Sequence, residues 1–311
     1  MQPLRIATGN YGLTLPLKRG EVSTGRLPLE FVEVEAITTN GMRPMVRTLA
    51  FDICEMAFTT YLCARAAGKP LTAIPVFLTR NFHHRAAFIN AKSGIKSPKD
   101  LEGRTVGVNR GYTVTTGAWI RGILQHEYGV DLGKITWAPT DEEHVSEYTA
   151  PANVDRRYLG KPIVELLRSG ELAAAVGDIR TDAPEVKPLI PDARHAGFAS
   201  FRTTGVYPVN HGLVVQNAVL EREPWVAEAL FGAFAAAKAL YLKRLRSGEA
   251  AGPADKNAAE LAEVVGDPFP FGFAPNRRPV ETLVGYAVEQ HLIPTRVTPE
   301  SLFAPSTLHL G

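Results

Sequence analysis

Short apolar runs alternate along the chain with amphipathic stretches of helical period, the pattern of an α/β protein. "LRIATG" predicts a first strand that runs into a Gly-Asn-Tyr-Gly loop carrying Asn10, and "LEFVEVEA" alternates like a second strand. "NGMRPMVRTLA" offers Asn40 as a cap for a short helix, and "FDICEM" reads as a third strand ending at Glu55. "TTYLCARAAG" predicts a helix that Thr59 or Thr60 can cap and Gly68 closes. "LTAIPVFL" is the next strand, and it leads into "RNFHHRAAFIN".

A second α/β unit is expected from about Asn90. "SPKDLEGRTVGV" gives a Ser97-Pro98 helix start and a strand, "NRGYTVTTGAWIRGILQHEYGV" a loop and a long helix, and "KITWAPT" another strand. "KPIVELLRSGELAAAVGD" reads as a helix, a stop, and a strand that ends beside Asp178. Val206–Val215 reads as a strand that puts Tyr207, Val209 and His211 on one face, with Asn210 between them. Beyond it the chain turns helical, with Pro224 near a helix start and Gly248 as its stop. The expected plan is two lobes, each a mixed sheet flanked by helices. Lobe one takes 1–88 and 212–311, lobe two takes 89–211, and the ligand cleft lies between them at strand ends.

Composition narrows the function without naming it. In 311 residues, 45% are hydrophobic and 21% charged, so a large core is available and bulk disorder is excluded. Formal charge is +2 and no Lys/Arg tract stands out, which argues against a nucleic-acid partner. The start "MQPLRIATGNYG" lacks a signal-peptide pattern, and no apolar stretch reaches membrane-spanning length. A soluble cytoplasmic protein with no membrane partner is expected. Cys54 and Cys63 form no CxxC motif and read as reduced thiols. "NRGYTVTTG" lacks the spacing of a nucleotide phosphate loop, but its free N–H groups suit a carboxylate, with Tyr112, Thr115 and Thr116 as candidates.

Five stretches together resemble the 4,5-dihydroxyphthalate decarboxylase family, a branch of the type II periplasmic-binding-protein fold: "LTAIPVFLTRNFHHRAAFIN", "SPKDLEGRTVGV", "TTGAWIRGILQHEYGVD", "GVYPVNHGLVV" and "DPFPFGFAPNRRPVETLVGYAVEQHLIPTRVTPESLF". The resemblance runs from Leu4 to Phe303. It implies a carboxy-lyase that turns a 4,5-dihydroxyphthalate-like diacid into a protocatechuate-like product and CO2. One departure bears on the substrate: where the family commonly shows Arg-His-Ser, this chain has His83-His84-Arg85.

Such chemistry needs a proton delivered to the ipso carbon, carboxylates held in place, and electron release from a para hydroxyl. No cofactor is required for that route. A divalent metal held by Glu55, His84 and His211 is the alternative. His84 is the first candidate acid, because an imidazole titrates near neutrality. An extended 82–85 would put Phe82 with His84 on one face and His83 with Arg85 on the other, leaving His83 at a solvated edge. His211 is the second histidine candidate, and Glu55 could accept a phenolic proton or orient His84. Carboxylates call for the planar guanidinium forks of Arg80, Arg85, Arg121 and Arg277. Asn10, Asp178, Tyr207 and Asn210 complete the expected binding set. A non-catalytic small-carboxylate binding protein, or a decarboxylase of a related aromatic acid, are the alternative readings. The expected partner is a small aromatic carboxylate, with a homo-oligomer left open.

Overall fold

The structure, a computed structural model, describes residues 2–311. Among the described residues the strands are β1 Leu4–Ala7, β2 Leu29–Phe31, β3 Ile53–Ala57, β4 Leu71–Arg80, β5 Ala87–Asn90, β6 Thr105–Val108, β7 Thr136–Pro139, β8 Ala174–Val176, β9 Val186–Pro188 and β10 Val209–Gln216. No helix is long and apolar enough to cross a membrane, again among the described residues.

Two compact units emerge. The first comprises the residues up to Arg80, Val209–Glu281 and Val297–Gly311; the second comprises Asn81–Pro208 and Thr282–Arg296. This division departs from the expected boundaries at 88/89 and 211/212, for reasons of packing. Phe82 lies in an aromatic cluster with Phe198 and Tyr207 of the second unit, at ring distances of 5.4 and 5.2 Å. Val209–His211 is hydrogen-bonded into the first sheet. Tyr286, from the late helix Arg277–Glu289, packs edge-on against Trp119 of the second unit at 5.6 Å.

The first sheet runs β2-β1-β3-β10-β4. β1 is parallel to β2 and β3, while β10 is antiparallel to both β3 and β4. Ile6, Ile53, Ile74, Val76, Leu213 and Val215 form a core with Leu230, Phe234 and Ala237 of the helix Val226–Ser247. That helix stops at Gly248, whose φ of 76° is the left-handed conformation glycine adopts without steric cost. The β10–β4 ladder is irregular from Val209 to Leu213. Pro75 lies within β4 and has no N–H to give the ladder; it falls at the shift between Gly212 and Leu213.

The second sheet runs β7-β6-β8-β5-β9, with β6 parallel to β7 and β8, and β5 antiparallel to β8 and β9. Ala138, Leu167, Leu172, Ala175 and Val186 form its core. The stretch His83–Ala86 is a 3-10 turn, not an extended strand. This overturns the expected alternation of faces: His83 and His84 are both buried and Arg85 is exposed. His83 leaves the solvated edge because its ring stacks on Trp119.

Candidate functional site

β3 is buried along its whole length, yet its central residue is Glu55. A carboxylate with no solvent exposure is costly unless hydrogen-bond donors surround it. Three do. The Gly9 amide donates to Oε2 at 2.8 Å, Tyr11 Oη donates to Oε1 at 2.9 Å, and His211 Nδ1 lies 2.6 Å from the same Oε1. Glu55 is thus an orienting carboxylate for His211.

The loop after β1 is built to deliver two of those donors. Thr14 is fully buried; its Oγ1 accepts from the Tyr11 amide at 2.9 Å and donates to the Gly9 carbonyl at 2.7 Å. Gly9 leaves room for the Tyr11 ring: a Cβ there would stand 2.4 Å from Tyr11 Oη and push the ring aside. Burial, followed by the charge and the hydrogen bond of Glu55, pushes the Tyr11 phenol well above its ordinary range, so Tyr11 remains a donor. Asn10 points elsewhere; it is exposed, 3.4 Å from Glu33.

His211 sits where the β10–β4 register shifts, the kind of bulge that re-aims a side chain. Its side chain keeps 14% exposure. With Nδ1 turned to Glu55, Nε2 is the ring nitrogen left for a ligand. Beside it, Asn210 is half-buried, and its Oδ1 accepts no hydrogen bond among the described residues. Among the described residues no three His, Cys, Asp or Glu side chains stand together as metal ligands.

In the second unit His84 is 2% exposed, and its Nε2 lies 2.8 Å from Glu127 Oε2. Ser200 donates to the other oxygen of Glu127 at 2.8 Å. Burial raises the Glu127 carboxyl, but the bonds from His84 and Ser200 and the charge of His84 outweigh it, and the carboxyl lies below its usual value. Tyr207 is buried in the aromatic cluster around Phe82 and precedes β10, so it does not share a strand face with His211.

The expected carboxylate turn before the helix Thr115–Tyr128 is filled from within. Glu143 Oε1 accepts from the Tyr112 amide at 2.6 Å; Oε2 accepts from the Thr113 amide at 3.1 Å and from Thr113 Oγ1 at 2.5 Å. Burial raises the Glu143 carboxyl despite these donors. Thr115 is buried and Thr116 half-buried in the first turn of the helix, and neither caps it.

The four arginines separate. Arg121, expected as a ligand fork, is fully buried: Nε donates to Gln290 Oε1 and Nη2 to the Tyr112 carbonyl, each at 2.8 Å, and the guanidinium lies 4.0 Å from the Tyr112 ring. Burial holds it below its usual value. Arg277 opens the helix Arg277–Glu289 and pairs with Glu300 at 2.9 Å and Glu281 at 3.7 Å. Arg85 is exposed on the 3-10 turn. Arg80 ends β4 opposite Val209, two residues before His211, with its guanidinium 5.1 Å from the Phe77 ring. Asp178 is exposed after β8, 3.7 Å from Arg180. Sequence reasoning missed Tyr11, Glu127 and Glu143; the one local signal was the glycine on either side of the Asn-Tyr pair.

Residues 32–186 match the family described as NMT1/THI5 like. A 4,5-dihydroxyphthalate decarboxylase of Comamonas testosteroni is 31% identical over 98% of this chain and 97% of its own. One of Pseudomonas putida is 32% identical over 56% of this chain and 69% of its own. Among solved structures, the periplasmic aliphatic sulphonate binding protein SsuA from Escherichia coli superposes with a TM-score of 0.57 at 15% identity, covering 99% of each chain. The fold, two mixed five-stranded sheets with flanking helices, is thus periplasmic-binding-protein-like.

Proposed function

The chain belongs to the 4,5-dihydroxyphthalate decarboxylase family, and on that premise we propose that it removes one carboxylate from a hydroxylated aromatic dicarboxylate of the 4,5-dihydroxyphthalate class, releasing CO2 and a protocatechuate-like product. The observation that carries the mechanism is the 2.6 Å pair of His211 and a fully buried, three-donor Glu55. It favours His211 over His84 as the acid.

Direct loss of CO2 would leave an unstabilised aryl anion. In the proposed route the hydroxyl para to the departing carboxylate pushes electrons into the ring, and the ipso carbon takes a proton from His211 Nε2. The carbon–carboxylate bond then breaks, its electron pair restores the aromatic ring, and CO2 leaves. His211 regains its proton from solvent, so one proton is consumed and one CO2 released per turnover. Glu55 fixes the imidazole through Nδ1 and stabilises its protonated form, the part a buried carboxylate plays beside a catalytic histidine. Arg80, close to His211 along the neighbouring strand, is the arginine proposed to hold a substrate carboxylate. The ring hydroxyl supplies the electrons, so the route calls for no electron-sink cofactor.

Purified protein mixed with 4,5-dihydroxyphthalate should release CO2 and protocatechuate in equal amounts. Turnover only with another member of a panel of hydroxylated benzoates, phthalates and heteroaromatic diacids would keep the reaction and change the substrate. Tight binding with no product over hours would replace the reading with that of a binding protein.

A further inference from the structure

Two donors share a single oxygen. Tyr11 Oη and His211 Nδ1 both bond Glu55 Oε1, at 2.9 and 2.6 Å, while Oε2 is held separately by the Gly9 amide. The negative charge available to the imidazole at that oxygen is therefore divided with a phenol. We propose that Tyr11 is a positioning residue that tempers the hold of Glu55 on His211, keeping the imidazolium a strong enough acid to protonate carbon.

The physical case starts from the burial of Glu55, which has no solvent exposure. A buried carboxylate facing an imidazole alone would concentrate its charge on one hydrogen bond and stabilise the imidazolium strongly. An acid stabilised in that way gives up its proton reluctantly, and proton transfer slows as the donor weakens. A second donor on the same oxygen withdraws part of that charge. Tyr11 is suited to the task because its phenol is held protonated by burial first and then by Glu55 itself. Its place is set by the loop around it. Its amide is fixed by Thr14, and its ring lies over Gly9, where even a methyl group would collide.

Other titratable and charged groups lie on the same elements, but only Tyr11 and His211 bond Glu55 Oε1 among the contacts described above. From β3 come Glu55 and Cys54; the Cys54 thiol is pushed up by burial first and then by Glu55, and it points to the Glu55 carbonyl. From β4, the residue opposite His211 is Thr79, and the charged Arg80 lies opposite Val209 with its guanidinium toward Phe77 and the Pro270 carbonyl. Lys18, at the end of the loop helix Leu15–Lys18, is committed to the Thr8 carbonyl and Glu33.

This inference rests on His211 as the acid, and its test separates the two. Tyr11→Phe keeps the ring and removes only the hydroxyl. In that variant kcat for 4,5-dihydroxyphthalate should fall about tenfold or more with KM changed less than about threefold. The basic limb of the kcat–pH profile should move to higher pH, because the imidazole keeps its proton longer. Independently of turnover, the His211 Nδ1–H proton resonance should move downfield as the bond to Glu55 strengthens. Gly9→Ala, which displaces the ring without deleting the hydroxyl, should shift both readouts in the same direction. A basic limb that stays in place or moves to lower pH, or an unmoved Nδ1–H resonance in Tyr11→Phe, overturns the role of Tyr11. If His211→Gln turns over normally, the acid assignment fails instead, whatever the resonance does.

Discussion

Glu55 and His211 reach each other diagonally across two antiparallel strands. Leu213 stands opposite Glu55 and Ala57 opposite His211, yet the two side chains close to 2.6 Å. Diagonal neighbours of this kind share a sheet face, and long side chains span the gap. Replacing either partner should reach the chemistry directly. His211→Gln should lower kcat by about 10²–10⁴. Glu55→Gln should also lower kcat strongly, by leaving the imidazole without its orienting anion. Single-turnover kinetics with 4,5-dihydroxyphthalate measure both, and a His211→Gln rate equal to the parent's would end the proposal.

His84 should behave as a structural residue. His84→Ala is expected to change kcat less than about tenfold while lowering stability by roughly 1–3 kcal/mol, since it strips a buried hydrogen-bond partner from Glu127. Tm and turnover measured on the same preparation separate the two effects. A His84→Ala variant that is well folded and dead would return the acid role to His84.

Glu127 gives the pH dependence a sign. Its carboxyl lies below the ordinary range in the folded protein, because the bonds from His84 and Ser200 outweigh burial. The unfolded chain therefore takes up its proton first as pH falls. The stabilisation is complete above the ordinary carboxylate range and is lost as pH falls through it to the lower folded value. Over that window Tm should drop further in the parent protein than in Glu127→Gln. Parallel melting curves with equal drops would show that Glu127 contributes nothing to acid unfolding.

What could be read from the chain, and what could not, follows from distance along it. Strands such as Ile53–Ala57 and the Gly248 helix stop are written locally in period and in backbone freedom. Glu55 and His211 were visible as single reactive residues at strand positions. Their partnership was not, and neither was Tyr11, because Tyr11 and Glu55 meet across a separation of 44 residues. The faces of His83 and His84 were misjudged because alternation presumes an extended backbone, and a 3-10 turn puts both inside. The long helix Ala193–Thr204 carried too weak a pattern to be anticipated; Gly197 is its one buried residue.

Arg121 shows the same limit and yields its own test. By residue type it reads as a fork for a ligand carboxylate, but Gln290 and the Tyr112 carbonyl hold it in the interior. Arg121→Ala removes two charge-assisted bonds and leaves a cavity, so urea unfolding should show a loss of roughly 3 kcal/mol or more. A loss below about 1 kcal/mol would mean that the interior closes over the gap.

Gly122 makes room for Tyr286. A Cβ on Gly122 would sit 2.0 Å from Tyr286 Cδ2, and the Tyr286 phenol is pushed up to about 12, by burial first and then by Glu127 and Glu289. Gly122→Ala should cost about 1–3 kcal/mol through overpacking. Combined with Tyr286→Ala, much of that cost should vanish in a double-mutant cycle. Strict additivity of the two changes would place the strain elsewhere.

The sheet order β2-β1-β3-β10-β4 also governs synthesis of the protein. β3 and β4 are successive in the chain, yet they do not pair; β4 and the second edge of β3 both wait for a strand that leaves the ribosome only after the whole stretch from Asn81 to Pro208. Until Val209–Gln216 emerges, the nascent chain carries open β-edges, the surface on which chains stick to one another. A ribosome-stalled fragment ending at Pro208 should bind holdase chaperones, and one extended past Gln216 should release them.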